Sequence, residues 1–405
     1  MKNIYMDSNI IVVDSIMGSG KTSWIIDMLN TELDRNFLYI TPLLDETKRI
    51  KDSVTSRDIY CPENRGNGKI GNIAKLLSNQ MDIASTHELF RRFDSKCKAA
   101  LTENKYTLIL DETLTAVEPF YFTGKEDYKY LLKNHDIAVN DDGLIEWIGS
   151  ELDTRFDDVR ILAKNKCLFK VDEKFFLWHF PHDIFTLFEK VYVLTYLFSG
   201  SIMKYYFDLY RLTYQVKSVK YIDGKYRLTD YYIPDKTSIR NRLSVYMGNL
   251  NSNISQKENM LSATWCRSSY NKAERVKIKN NFYNFRRNIM KASGEKTMWT
   301  CYKDCRKELT GKGYANSFVP CNCRATNEYR EKTCLMYGVN WYENPEIIKF
   351  FSQHGITINQ DMIALSTILQ WVWRSNIRVS DSTEKVTIYI PAKRMRNIFM
   401  QWLNG

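Results

Sequence analysis

The chain contains no apolar run approaching the ~18–20 residues that a membrane-crossing helix needs. Its first residues, Met1-Lys2-Asn3-Ile4-Tyr5-Met6-Asp7, lack the apolar stretch of a secretory leader. A membrane partner is therefore not expected, and the cytoplasm is the expected compartment. Histidine is scarce, with five in 405 residues, and none stands at a metal-ligand spacing. No internal repeat and no low-complexity tract interrupts the chain. Nine cysteines are present, and five of them fall between Cys301 and Cys334. Their order, Cys301-x3-Cys305, then Cys321-x-Cys323, then Cys334, is not that of a zinc knuckle, and several lie in segments that read as buried strands. Zinc is not expected. Structural disulfides are expected even less, because reduced cysteine is among the most buried residue types.

What is present is the composition of a globular protein, 44% apolar and 26% charged. A chain of 405 residues exceeds one ordinary core, so two domains are expected. The net charge of +11 is unevenly spread. From Ile239 to the end there are 26 Lys and Arg against 12 Asp and Glu, whereas the first 238 residues hold 32 against 35. A basic carboxyl-terminal half suits a nucleic-acid backbone, since Lys and Arg release condensed counterions when they neutralise phosphates.

The chemistry begins near the amino terminus. Asn9-Ile10-Ile11-Val12-Val13-Asp14 reads as a buried parallel strand. It leads into Ser15-Ile16-Met17-Gly18-Ser19-Gly20-Lys21-Thr22 and then into a helical pattern over Trp24–Leu29. Glycines in such a loop let backbone N–H groups turn toward a polyphosphate, so Met17, Gly18, Ser19, Gly20, Lys21 and Thr22 are the expected ATP-binding residues. Lys21 supplies a point charge and Thr22 a hydroxyl for Mg²⁺. A second segment, Tyr106-Thr107-Leu108-Ile109-Leu110-Asp111-Glu112, is an apolar strand ending in two carboxylates. Asp111 is the expected second Mg²⁺ ligand, and Glu112 the residue that polarises the attacking water.

Further strands follow at Asn36–Ile40, ending in Thr41-Pro42, at Met81–Ala84, ending in Ser85-Thr86, and at Val191–Leu197. In an open parallel sheet the carboxyl ends of the strands form the ligand edge, so these polar termini are expected on one rim. The interval 113–190 reads as an insertion of helices and a hairpin, and 215–238 as a hairpin around Asp223-Gly224. Domain boundaries are expected at 1–238 and 239–405. The second half reads as a helix over 258–290, strands at Thr297–Tyr302 and Ser317–Pro320, helices at Pro345–Gln353 and Met362–Trp373, a strand at Val386–Ile390 and a closing basic helix.

This ordered set of segments resembles a superfamily 2 helicase of the DExD/H type, close in flavour to the compact helicases of phages and prophages of Gram-positive bacteria. Ser15–Thr22 looks like motif I, Tyr39-Ile40-Thr41-Pro42 like motif Ia, Ala84–Leu89 like motif Ib, and Asp111-Glu112-Thr113-Leu114 like the Asp-Glu box. Leu194–Ser199 is assigned as motif III because it follows a strand. Ser262-Ala263-Thr264 has the family's spelling, but is expected to pack as an ordinary helix face. Arg324-Ala325-Thr326-Asn327-Glu328 is similar to motif V, and Gln370 through Arg378 to motif VI. There Arg374 keeps the family spacing from Gln370, while Arg378 lies one position late.

The resemblance implies an α/β fold of two tandem RecA-like (P-loop NTPase) domains with parallel sheets and an insertion in the first. ATP is then hydrolysed in the cleft between them to move along or unwind DNA. It implies catalytic roles for Lys21, Asp111, Glu112, Gln370, Arg374 and Arg378, and nucleic-acid contacts at Thr41, Pro42, Thr86, Thr300 and Thr326. ATP and Mg²⁺ are the implied cofactors, DNA rather than RNA the implied partner, and phage replication proteins possible further ones. Eight residues precede the first strand, so an upstream adenine-reading motif is expected to be short or absent. A packaging-type ATPase motor expects clustered acids in the carboxyl half, which is basic here. A nucleotide-switched DNA-binding protein is opposed by intact Lys21, Asp111 and Glu112. An iron–sulphur helicase needs four cysteines between the loop and Glu112, where only Cys61 and Cys97 occur.

Overall fold

The computed structural model describes residues 8–64, 66, 68–151, 155–322 and 328–405. The chain forms two compact units. The first comprises Met1–Asp14, Lys21–Asp230 and Glu343–Ile358, and the second Ser15–Gly20, Tyr231–Tyr342 and Asn359–Gly405.

In the first unit, β1 (Ile10–Asp14), α1 (Lys21–Thr31), β2 (Asn36–Thr41), α2 (Leu44–Ser53), β3 (Ile59–Tyr60), α3 (Gly68–Ser78) and β4 (Asp82–Thr86) follow in order. Next come α4 (His87–Phe90), α5 (Ser95–Glu103) and β5 (Tyr106–Asp111). The inserted segment supplies β6 (Val117–Phe120), α6 (Asp127–Lys133), β7 (Ile137–Val139), β8 (Ile145–Trp147), α7 (Asp157–Lys164), β9 (Leu168–Lys170) and β10 (Phe176–His179). The main sheet is then completed by β11 (Lys190–Thr195), followed by α8 (Ile202–Leu209), β12 (Gln215–Ile222) and β13 (Lys225–Asp230).

The main sheet has the order β13-β12-β1-β11-β5-β2-β4-β3. All its pairs are parallel except β12–β13. Its central strands are near-continuous apolar runs because helices cover both faces of a parallel sheet, leaving no side chain a wet position. β1 is buried at all five residues. On one face Ile11, Val13, Phe37, Tyr39, Ile109, Tyr192 and Leu194 pack with Trp24, Ile25, Met28 and Leu29 of α1. The i, i+1, i+4, i+5 spacing of those four residues is the apolar stripe of a helix lying on a sheet.

The insertion has its own small sheet, β6-β10-β9, all antiparallel, and a β7–β8 hairpin. Its core gathers Tyr128, Leu131, Ile137, Ile145, Phe156, Leu168 and Phe176.

The second unit contains α9 (Thr237–Arg242), β14 (Leu243–Val245), α10 (Ala263–Arg267), α11 (Lys272–Asn284), β15 (Thr297–Cys301), α12 (Lys303–Leu309) and β16 (Cys334–Gly338). After α13 (Pro345–Gln353) it resumes with α14 (Gln360–Val372), β17 (Val386–Tyr389) and α15 (Lys393–Asn404). Its sheet is parallel throughout, in the order β14-β17-β16-β15.

Several expectations for this half are corrected. The long helix over 258–290 is broken: Leu261 has φ +64, Ser262 caps α10 by accepting from Trp265 N, and Ser268 is extended. Ser262 therefore opens α10 as its N-cap, as serine at such a position favours, while Ala263 and Thr264 lie in the first turn of that helix. Ser317–Pro320 forms no strand, only an isolated bridge between Phe318 and Trp299; Pro320 has no N–H to extend a ladder. β14 and β16 were not anticipated. Cys266 and Cys305 form a disulfide between α10 and α12, against the expectation that cysteines stay reduced. Cys301 and Cys334 lie buried in adjacent strands.

Helix α13 comes from the carboxyl-terminal half yet packs within the first unit. Phe350 sits 4.6 Å from the His179 ring and 5.8 Å from Phe169, and Lys349 pairs with Asp172 at 2.8 Å. His179 is fully enclosed, and its Nδ1 lies 2.9 Å from the Tyr210 hydroxyl. Burial, with His354 and His182 nearby, lowers its pKa to about 3, so the ring stays neutral at physiological pH. Truncating Phe350 removes an aromatic side chain from this junction. Phe350→Ala is expected to cost about 3–5 kcal/mol in urea denaturation. A loss below ~1 kcal/mol would mean that α13 is only loosely held.

Candidate nucleotide-binding site

Asp14 ends β1 and the loop Ser15–Gly20 follows it. Gly18 has φ +82 and Gly20 φ +89, conformations that an L side chain enters only with strain. Ser19 N donates to the Ile16 carbonyl at 3.2 Å and closes the turn. The Ser19 hydroxyl is enclosed without a hydrogen-bond partner among the described residues. Lys21 then opens α1, whose first N–H groups lie where an anion is favoured.

β5 lies one strand away from β1, with β11 between them. It delivers Asp111 at its carboxyl end. Tyr39, on the neighbouring β2, donates its hydroxyl to Asp111 Oδ2. Glu112 adopts φ +70, and its N–H is held by the Leu194 carbonyl at 3.0 Å. A non-glycine residue in this region costs about 1–2 kcal/mol, so its neighbours must hold it there.

The turn after β11 is tied down as well. The carboxylate of Asp14 accepts from Leu197 N at 2.8 Å and from Phe198 N at 2.9 Å, and Leu197 has φ +56. One buried carboxylate thereby joins the strand that enters the loop to the segment assigned as motif III.

Charge is concentrated here. Desolvation lowers the Lys21 pKa to about 8, against the attraction of Asp111, Asp14 and Glu112. Asp111 is raised by desolvation, opposed by the Tyr39 hydrogen bond and by Lys21. Asp14 is raised by desolvation too, opposed by its two backbone donors and Lys21. Tyr39 is pushed well above its ordinary value by burial and by Asp111. An ammonium and three carboxylates share a partly dehydrated recess.

The other expected residues are placed as follows. Thr41 and Thr86 are register partners at the carboxyl ends of β2 and β4. Thr86 also caps α4, accepting from Leu89 N. Pro42 and Thr86 line a cavity of about 710 Å³ with Leu43, Lys69, Leu89 and Arg92. Thr300 is fully buried within β15, and its hydroxyl finds no partner among the described residues. Gln370 is exposed on the last turn of α14, Arg374 is buried just beyond that helix, and Arg378 is exposed in the turn Asn376–Arg378. Helix α14 therefore stops at Val372, before either arginine. Thr326 lies outside the described residues. Among the described residues no cluster of three or more His, Cys, Asp or Glu is placed to hold a metal.

Two functional candidates, Asp14 and Tyr39, escaped the sequence reading. A carboxylate closing the apolar run Ile10–Val13 was the visible signal for Asp14. Nothing local distinguished Tyr39 from any other buried strand tyrosine.

Fold and recess together define the class, an α/β protein with a strand–loop–helix junction at the carboxyl rim of a parallel sheet. The chain belongs to the YonV family. It is 38% identical over 413 residues to the "SPbeta prophage-derived uncharacterized protein YonV" of Bacillus subtilis (strain 168), covering 97% of this chain and 98% of that one. The relative is prophage-derived and from a Gram-positive bacterium, as the sequence resemblance led one to expect. Residues 237–403 match the family described as "YonV C-terminal Rossmann-like domain", and 118–178 the "YonV middle domain". Two solved structures are similar over nearly the whole chain. "Structure of S. tokodaii Xpd4" has a TM-score of 0.49 and 11% identity, covering 97% of this chain and 93% of that one. "XPD_Helicase" has 0.48 and 12%, covering 98% and 94%.

The lowered Lys21 pKa has a direct chemical readout. At pH 8 about half of its amines are neutral, against less than ~1% of an ordinary lysine. Brief acylation at pH 8 followed by peptide mapping is expected to modify Lys21 ahead of lysines titrating near 10.5. Labelling no faster than theirs would refute the shift.

Proposed function

We propose that the protein is a nucleic-acid-dependent ATPase that translocates along or unwinds DNA. The observation that carries this reading is Lys21 among Asp14, Asp111 and Glu112, behind a loop with two left-handed glycines. The donor set suits a magnesium nucleotide: the enclosed Ser19 hydroxyl and the opening turn of α1 for phosphates, and Thr22 with Asp111 for the cation. Bound MgATP supplies the transferable phosphoryl group. The chain's own part is positioning and charge, which is most of what phosphoryl transfer requires. Lys21 neutralises phosphate oxygens, Tyr39 orients Asp111, and Glu112, fixed by the Leu194 carbonyl, directs water.

Gln370, Arg374 and Arg378 take the roles the sequence resemblance assigns, a neutral amide and two arginine charges directed at the γ-phosphate during turnover. For the nucleic acid, Thr41, Pro42 and Thr86 stand at adjacent strand ends. Lys69 and Arg92 beside them supply cations suited to phosphates. Thr326 remains a proposed contact, whereas Thr300, fully buried inside β15, offers no surface to a strand. The basic bias beyond Ile239 supports the same partner.

Steady-state ATP hydrolysis with and without single-stranded DNA tests the reading. Stimulation by DNA is expected, with loss of at least ~10²-fold in Lys21→Ala. Arg374→Ala is expected to bind ATP normally yet turn over about 10³-fold more slowly. Turnover indifferent to DNA, and likewise to RNA, would refute it.

A further inference from the structure

The edge hairpin β12–β13 has no part in the roles assigned above. β12 pairs with β1 only over Gln215–Lys217, and Ser218 Oγ donates to the Asp14 carbonyl at 2.9 Å. Val219–Ile222 therefore runs past the end of β1, on the rim from which α1 departs. At about 3.3 Å per residue these four residues project ~13 Å. Asp223 and Gly224 turn the hairpin with φ +50 and +78, left-handed geometry matched to the twist of the strands.

Alternation sets Val219 and Tyr221 on one face, opposite Leu228 and Tyr226. That face looks toward α1: Val219 is buried in the cluster with Trp24 and Ile25, and Tyr226 and Leu228 pack against it. Beyond the cluster, Tyr221 and Tyr226 form a cross-strand pair with ring centroids 5.0 Å apart. Tyr221 remains 62% exposed, so its ring covers no core.

We propose that Tyr221 and Tyr226 form the stacking platform for the base of the bound nucleoside triphosphate. This rests on the reading of Lys21, Thr22 and Asp111 as the phosphate and Mg²⁺ site. In the order β13-β12-β1-β11-β5, Asp111 and Glu112 lie on one side of β1 and the hairpin on the other. A triphosphate at the first turn of α1, with its metal toward Asp111, leaves its base to the hairpin side. There a flat, exposed ring on the α1 face offers stacking, which any nucleobase accepts.

Calorimetric titration of the full chain with three probes tests this: the Mg²⁺ salt of a non-hydrolysable ATP analogue, Mg²⁺ tripolyphosphate, and oligo(dT). Tyr221→Ala is expected to weaken the analogue about tenfold and to leave tripolyphosphate and oligo(dT) unchanged. Tyr221→Phe, which keeps the ring, is expected to bind the analogue as the wild type does. Unchanged analogue binding in Tyr221→Ala, with Lys21→Ala still abolishing it, overturns the platform alone. Weakened oligo(dT) with unchanged analogue also overturns it and gives the ring to a strand base. A wild-type chain that binds neither polyphosphate removes the platform and the ATPase reading together.

Discussion

Much of the first unit's architecture serves one electrostatic constraint, an ammonium held beside three carboxylates in a partly dehydrated recess. Desolvation costs the Lys21 ammonium more than the attraction of Asp111, Asp14 and Glu112 returns, so its proton is loosely held. The carboxylates are affected in the complementary sense, Asp14 and Asp111 being shifted toward their neutral forms by the same burial. Such a group of charges is poorly compensated without a ligand. Under the reading proposed above, the divalent cation offsets the excess of carboxylate, while Lys21 and the first N–H groups of α1 face the phosphates.

Holding those charges in place requires backbone conformations that the chain would not adopt unaided. Glu112 and Leu197 are both left-handed, and both are secured across strands. The Leu194 carbonyl holds the first, and the Asp14 carboxylate holds the second. β11 therefore links the loop strand to the carboxylate strand by hydrogen bonds as well as by register. Strain of this kind, over-determined by its surroundings, accompanies functional sites more often than plain structural ones.

The inserted module is built on different physics. Its core mixes aliphatic and aromatic side chains, and the neutral His179 is wedged between Phe169 and Phe350, which comes from a helix more than 150 residues further along the chain. Arg91, just past α4, lies over Trp178 and pairs with Glu118 of the same module. The segment following Thr86 is thereby attached to the insertion through a cation–π contact and an ion pair.

Local chemistry in the sequence was sufficient to determine the parallel sheet of the first unit, the glycine loop, the carboxylate strand and the hairpin around Asp223-Gly224. Each is written in nearest-neighbour terms: apolar runs of strand length, glycines where φ must be positive, carboxylates closing a strand. The order of these segments carried the resemblance to prophage helicases, and the relative that shows the family is prophage-derived. Only the tertiary structure could decide features that depend on residues distant in sequence. Asp14 became the tether of the β11 turn, Tyr39 the partner of Asp111, and Cys266 the partner of Cys305. The helix over 258–290 was broken because Leu261 and Ser262 answer to Asn340 and Trp265 rather than to helix periodicity. α13 has a clear helical pattern, yet nothing in that pattern tells which unit will bury its apolar face. Periodicity specifies that a face must be buried, and only the packed chain specifies against what.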